Sequence, residues 1–173
     1  LEQLIAGHPT LCGVVHAAGA VDDGPALEQS QERLTGLLAP KLLAAAALDR
    51  LLPSTAWLTL LSSAAASLGN RHQSTYAAAN AAMQAVAFQR KARSEGSFIL
   101  HFGPWQDTGM ADGLSHDLLS SQGIRALNPT EAAQSFVELL GAKAASSAAL
   151  KPLATCTSSS SGCGWPFASS AAA

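Results

Sequence analysis

The sequence predicts an α/β domain organised around a parallel sheet. Three short apolar runs, at 11–19, 56–63 and 97–105, alternate with segments of helical periodicity, the strand–helix–strand rhythm of such folds. The runs are continuously apolar rather than alternating, as strands covered on both faces are. Each also ends in small or polar residues, and parallel sheets bind ligands at these carboxyl ends.

The first run, LCGVVHAAG (11–19), reads as a strand closing on His16, Ala17, Ala18 and Gly19. Leucines at helical spacing over 32–52 predict a helix. Pro40 is expected to kink or break it, because proline brings no N–H and its ring crowds the preceding turn. AWLTLLSS (56–63) is the second strand, ending in Ser62 and Ser63. Thr75 to Ala92 predicts a helix that stops near Gly96. SFILHFGPW (97–105) is the third strand, halted by Gly103 and Pro104 ahead of Trp105. Residues 107–128 are polar and glycine-punctuated, a loop with room for a short helix. Residues 128–143 form an amphipathic helix, with Asn128 or Thr130 as its cap, Pro129 at its start and Gly141 at its end. The pattern decays from 144. Residues 154–173 are Ser/Gly/Ala-rich without a period, so a folded segment 1–143 and a disordered tail 144–173 are expected.

The chain has 173 residues, room for one domain with a sizeable core. With 48% hydrophobic and 13% charged residues it is not of the disordered class. A net charge of −2 and a pI near 6.2 argue against a nucleic-acid partner. No apolar run reaches the roughly 18 residues of a membrane span. The opening LEQLIAGHPT lacks the basic-then-apolar order of a signal peptide, so a cytoplasmic location without a membrane partner is the expectation. It also lacks an initiator Met, which suggests a segment of something longer. Cys12, Cys156 and Cys163 stand at unpatterned spacing and are read as buried or incidental thiols; no metal site is expected.

Tyr76 is the only tyrosine. It opens the long Ala-rich helix, and Asn80 follows one turn later on the same face. A phenol is a poor acid at neutral pH, but a lysine ammonium nearby favours its ionised form. A tyrosine so tuned can give a proton to a carbonyl oxygen as charge builds there. A serine hydroxyl can hold the same oxygen, and the Asn80 amide could orient a lysine or hold a water. Each residue alone has a plainer reading: a packed tyrosine, a serine pair capping a turn, a solvated Lys41, a half-buried His16. Their joint occurrence, in order, outweighs those readings.

That order resembles the ketoreductase domains of modular polyketide synthases and animal-type fatty acid synthases, in the short-chain dehydrogenase/reductase superfamily. The stretches that carry the likeness are GVVHAAGAVDDG (13–24), LAPK (38–41), LLSSAAASLGNRHQSTYAAANAAM (60–83) and HFGPWQDTGMA (101–111). The resemblance implies NADPH-dependent reduction of a β-ketoacyl thioester, carried on the phosphopantetheine of an acyl carrier protein beside neighbouring synthase domains. It implies Tyr76 as general acid, Ser63 as the carbonyl-binding serine, and Lys41 as the lysine that tunes the phenol and holds the nicotinamide ribose. Most short-chain reductases place that lysine four residues after the tyrosine. Here Asn80 stands there, the exchange that the polyketide enzymes make, and one that disfavours a free-standing reductase of small ketones. His16 to Gly19 match the segment beside the cofactor's adenosine side. Gly103, Pro104 and Trp105 match the cover of the nicotinamide, and Met110 lies in the lid over substrate.

The likeness also marks what departs from the family. The family opens with a glycine-rich phosphate turn and two βα units ahead of the strand at Leu11, so a Rossmann-like doubly wound sheet entered about halfway is expected, with the phosphate-binding half missing, weak NADPH binding and an exposed edge at Leu11–His16. Only residues 148–155 could supply the family's further C-terminal strand. An inactive remnant kept as a structural or interaction segment is the alternative. Members giving the D-configured hydroxyl resemble each other in a Leu-Asp-Asp triplet, here Val21-Asp22-Asp23; those giving the L-hydroxyl carry a Trp where Leu68 stands. Both features lean to the D-hydroxyl.

Overall fold

The computed structural model describes residues 1–107, 123–144 and 151–153. Strands β1 (Gly13–His16), β2 (Trp57–Ser63), β3 (Ser97–Phe102) and the short β4 (Lys151–Leu153) form one parallel sheet in that order. β1 is an edge strand among the described residues, with Val15 partly exposed, and β4 falls within the stretch expected to offer a weak further strand.

Helices cover both faces of β2 and β3, which is why these strands are largely apolar. Leu58, Leu60 and Ile99 turn to one face and pack with Ala45, Leu48, Met83, Val86 and Ala87 of the helices α3 (Ala44–Leu51) and α5 (Ser74–Ala92). Leu61, Leu100 and Phe102 turn to the other face and meet Ala132, Phe136 and Leu139 of the helix α6 (Pro129–Ala144). Asn128 caps α6: its Oδ1 accepts from the Thr130 amide at 2.9 Å, with Pro129 in the first position as expected. The helix runs past Gly141.

Residues 31–51 form a helical rod in three parts. The helix α2 (Gln31–Leu38) starts at Ser30, whose hydroxyl accepts from the Arg33 amide. A wide π turn, Ala39–Leu43, follows, and then α3. Pro40 explains the turn: without an N–H it cannot continue the α-helical ladder, and the backbone widens rather than breaking. The expected kink therefore takes the form of a π turn, with Lys41 inside it and buried.

At the far end of the sheet the fully buried Arg90 donates to Ala56 O at 2.7 Å and pairs with the Asp49 carboxylate at 3.0 Å, tying the entries of β2 and β3 to the end of α5. Charge pairing and backbone acceptors together keep that buried guanidinium satisfied. The five-residue helix α1 (Glu2–Ala6), the 3-10 turn Ala26–Glu28 and the four-residue helix α4 (Ala65–Leu68) have no cue in the sequence pattern. Cys12, expected inside an apolar run, is exposed. No helix among the described residues is long and apolar enough to cross a membrane.

Candidate active site

Parallel pairing in register brings His16, Ser62, Ser63 and Phe102 to one edge of the sheet. The glycine φ of +72° at Gly69, after α4, belongs to the connection that leads on to α5. Helix α5 begins over this edge with Tyr76 in its first turn. Tyr76, Asn80 and Gln84 follow at four-residue intervals on one face of α5, and each has a polar contact there.

Lys41 comes to Tyr76 from the π turn. Its ammonium lies 5.9 Å from the centroid of the tyrosine ring and donates to Leu61 O at 3.4 Å. Tyr76 is 8% exposed and packs with Leu37, Ala65 and Ala79. Burial pushes the Lys41 ammonium below its ordinary value, because the charged form loses hydration. Gly19 makes the approach of Lys41 possible: a Cβ there would stand 2.7 Å from Lys41 Cε and 2.9 Å from Nζ. Ala17, Ala18 and Gly19 are exposed, so this stretch of main chain is open to a ligand.

The backbones of these residues are pinned by buried side chains. His16 is buried and its Nε2 donates to Lys41 O at 3.1 Å. Burial, more than the neighbouring Lys41 charge, holds His16 below its ordinary value. Asn80 is fully buried and donates from Nδ2 to Tyr76 O at 2.9 Å. Ser62 donates from its hydroxyl to Asn80 O at 3.3 Å. Ser63 Oγ accepts from the Ala65 amide at 3.1 Å, which leaves the hydroxyl proton to serve another acceptor. Asn80 Oδ1 is buried without a protein hydrogen-bond partner, an unmet acceptor beside the tyrosine.

The loop after Gly19 is stapled to both helices of the site. Arg33 of α2 pairs with Asp22 through Nε at 2.8 Å and through a second bond from Nη2, holding the carboxyl below its usual range. Gln73, just before α5, donates to both oxygens of Asp23 at 3.1 and 2.9 Å. Gln29 bridges the same elements, donating to Gly24 O and accepting from the Thr75 hydroxyl, each at 3.0 Å. Leu68, at the end of α4, is exposed.

Gly103 and Pro104 follow β3 at the same edge. Trp105 instead packs its ring 5.4 Å from that of Phe102, in the cluster that seats α6, and forms a bridge with Leu127. Met110 lies outside the described residues. Sequence reasoning singled out Lys41, Tyr76 and Asn80, which the structure brings together, and Ser63, which it places at the same edge of the sheet. It missed His101, Gln84, Arg33 and Gln73. The four-residue spacing of Tyr76, Asn80 and Gln84 was a signal for Gln84; the other three had none.

A chain with a phenol, a buried ammonium, a hydroxyl with an unspent proton and an open glycine-bearing strand end can hold a carbonyl and protonate it. A family model described as KR domain matches residues 1–107. A naringenin synthase of Pestalotiopsis fici is 39% identical over 109 residues, which cover 62% of this chain and 4% of that protein. The pikromycin polyketide synthase component PikAII of Streptomyces venezuelae is 38% identical over 120 residues, covering 66% of this chain and 3% of that protein. A solved structure of A-type ketoreductases from a modular polyketide synthase superposes with a TM-score of 0.78 at 32% identity, over 90% of this chain and 33% of that one. The chain thus spans a third of that solved structure and a few per cent of the curated relatives.

Proposed function

The chain belongs to the ketoreductase (KR) domain family of polyketide synthases, and on that premise we propose that it contributes the proton-donating half of an NADPH-dependent β-ketoacyl reductase. The observation that carries this reading is the placement of the Lys41 ammonium over the Tyr76 ring by a helix other than the tyrosine's own, with Asn80 one turn below. The substrate is a β-ketoacyl thioester on an acyl carrier protein, delivered among neighbouring synthase domains.

Bound NADPH would supply a hydride to the ketone carbon. The residues present fit such a group: Lys41 has donors to spare for ribose hydroxyls, Gly19 keeps its strand end low, and Asn80 Oδ1 is an unmet acceptor. The chain's own work is the rest. Ser63 donates a hydrogen bond to the ketone oxygen and orients it. Tyr76 transfers its phenolic proton to that oxygen as the carbon–oxygen double bond becomes single, so ketone, hydride and proton balance to a secondary alcohol. The positive charge of Lys41 stabilises the phenolate left behind. Val21-Asp22-Asp23 and the absence of Trp at Leu68 favour the D-configured hydroxyl.

The test is reduction of a β-ketoacyl thioester by the native polypeptide that carries these residues, followed as NADPH oxidation. Tyr76→Phe is expected to lower turnover by about 10²–10⁴-fold while NADPH binding and the melting temperature hold. Wild-type turnover in Tyr76→Phe would overturn the reading.

A further inference from the structure

His101 is a buried titratable side chain that the chemistry above does not use. It lies on β3, paired with Ser62, and is 5% exposed. Its Nδ1 meets Ser63 O at 3.1 Å, and its Nε2 meets the Gln84 amide nitrogen at 3.2 Å. A carbonyl only accepts, so Nδ1 carries the ring proton. In the neutral ring Nε2 then accepts from the Gln84 amide. The bonds run in one direction, from Gln84 on α5 through the ring to the main chain of Ser63.

This contact completes a pattern. The main-chain carbonyls of Lys41, Tyr76 and Ser63 are held by His16, Asn80 and His101 respectively. The face of α5 that bears Tyr76 and Asn80 also bears Gln84, so Ser63 is referenced to the helix that carries the proton donor. Ser63 sits at the last position of β2, paired with Phe102, and the His101 bond adds a side-chain hold on its carbonyl. The direction of its hydroxyl follows from that backbone. A misplacement of even 1 Å in such a group can cost about 10²-fold in rate.

We propose that His101, supported by Gln84, is a positioning residue for ketoreduction, which sets the Ser63 hydroxyl against Tyr76. The proposal rests on the ketoreductase reading and adds to it a residue that touches neither substrate nor cofactor. Its chemistry separates two amide replacements. In His101→Asn the amide nitrogen falls near the place of Nδ1 and can still donate to Ser63 O. In His101→Gln it falls near the place of Nε2, toward Gln84, and Ser63 O loses its donor.

The experiment compares these variants, Ser63→Ala and the double variant Ser63→Ala/His101→Gln in the native polypeptide, with a β-ketoacyl thioester and NADPH. Melting temperatures are measured alongside. His101→Asn is expected within roughly threefold of wild-type kcat. His101→Gln is expected to fall roughly 10- to 100-fold in kcat with the KM for NADPH unchanged. The double variant is expected to be no slower than Ser63→Ala alone, because His101 acts through Ser63. Equal activity of the Asn and Gln variants, or a His101→Gln loss that adds in full to that of Ser63→Ala, would overturn the inference while Ser63→Ala still reports a working ketoreductase. A wild-type protein that reduces no β-ketoacyl thioester would overturn the ketoreductase reading itself, and the inference with it.

Discussion

The ammonium of Lys41 and the ring of Tyr76 lie 5.9 Å apart although 35 residues separate them in the chain, and the lysine reaches that place through a turn that Pro40 forces open. Lys41 is 4% exposed, yet its hydrogen bond to Leu61 O is long, at 3.4 Å. A buried charge so sparsely partnered is unfavourable for folding, which separates its effect on stability from its effect on activity.

Lys41→Met should therefore stabilise the fold at pH 7 while abolishing reduction. The sign follows from the direction of the shift. The folded-state value lies below the ordinary one, so the unfolded chain binds more protons between the two, and stability rises with pH across that alkaline window. Below that window the penalty is carried in full, and methionine removes it with little change in shape. A melting temperature raised by about 2–4 °C, the shift that ~1 kcal/mol gives in a domain of this size, is the expected result. A lower melting temperature would show that the ammonium supports the fold.

Gly19→Ala should act as a partial Lys41 variant. The new methyl would need the space that Cε and Nζ occupy. The end of a flexible side chain moves readily, so the fold survives and the ammonium leaves the tyrosine. We expect turnover to fall by about tenfold or more, with KM for NADPH raised and the melting temperature nearly unchanged. Steady-state kinetics beside a thermal melt decide it; unaltered kinetics would mean that the position of Lys41 does not matter.

Acid should weaken the fold through His16. Burial chiefly, with the Lys41 charge next to it, keeps the ring neutral below its ordinary value of 6.5. The unfolded state then takes up the proton first, so stability is lost as pH falls below about 6.5 and stops falling only beneath the folded-state value. The lowered carboxyls of Asp22, Glu32 and Glu95 act at lower pH, under their ordinary values of 3.8 to 4.5. Urea midpoints between pH 7 and 5.5 should decline in the wild type and decline less in His16→Asn. Parallel slopes in the two proteins would assign the acid sensitivity elsewhere.

The Asp22–Arg33 pair should govern stereochemical outcome more than stability. The pair is substantially exposed, with the two side chains at 44% and 26%, and such pairs contribute little to folding. Its effect is to fasten the Val21–Asp23 segment to α2 while Gln73 fastens it to the start of α5. Arg33→Ala is expected to leave the melting temperature within a degree or so and to erode the preference for the D-configured alcohol. Chiral chromatography of the released β-hydroxy acid measures it, and an unchanged ratio would count against this assignment.

Gly13→Ala should destabilise the sheet. A Cβ at this first residue of β1 would lie 2.0 Å from ring atoms of Trp57, its register partner at the start of β2. Trp57 has less freedom than a lysine tip, because its Cα and Cβ also stand against Gly96. A loss of roughly 1–3 kcal/mol, typical of overpacking, is expected in the urea midpoint, with activity per folded molecule retained. A wild-type midpoint would show that Trp57 has another place to go.

Much of this was legible in the chain. Apolar runs of strand length alternating with helical periodicity gave the parallel α/β order, and β2 and β3 fall within a few residues of the expected spans. Asn128 and Pro129 marked the start of α6, and Pro40 marked a discontinuity. These signals are local: a cap, a missing N–H or a period acts over one or two turns. Lys41, Ser63, Tyr76 and Asn80 were recognised by type and order. Short elements such as α1 and α4 were not, because one turn of helix leaves no period to read.

Sequence alone thus determined which long elements form, in what order, and which residue types stand at the carboxyl edge of the sheet. The tertiary structure decided how they are held. That Pro40 yields a π turn with a buried Lys41, that Gly19 clears the way for it, and that His101 holds Ser63 O all depend on contacts between residues distant in the chain. It also decided that Trp105 packs on Phe102 beneath α6. The physical reason is that a buried polar group must find its partner wherever packing places one. Propensity and periodicity describe a residue's neighbours along the chain, whereas Gln84 and His101 owe their partners to the pairing of β2 and β3 and the seat of α5 across them, and His16 owes its partner to the π turn that carries Lys41.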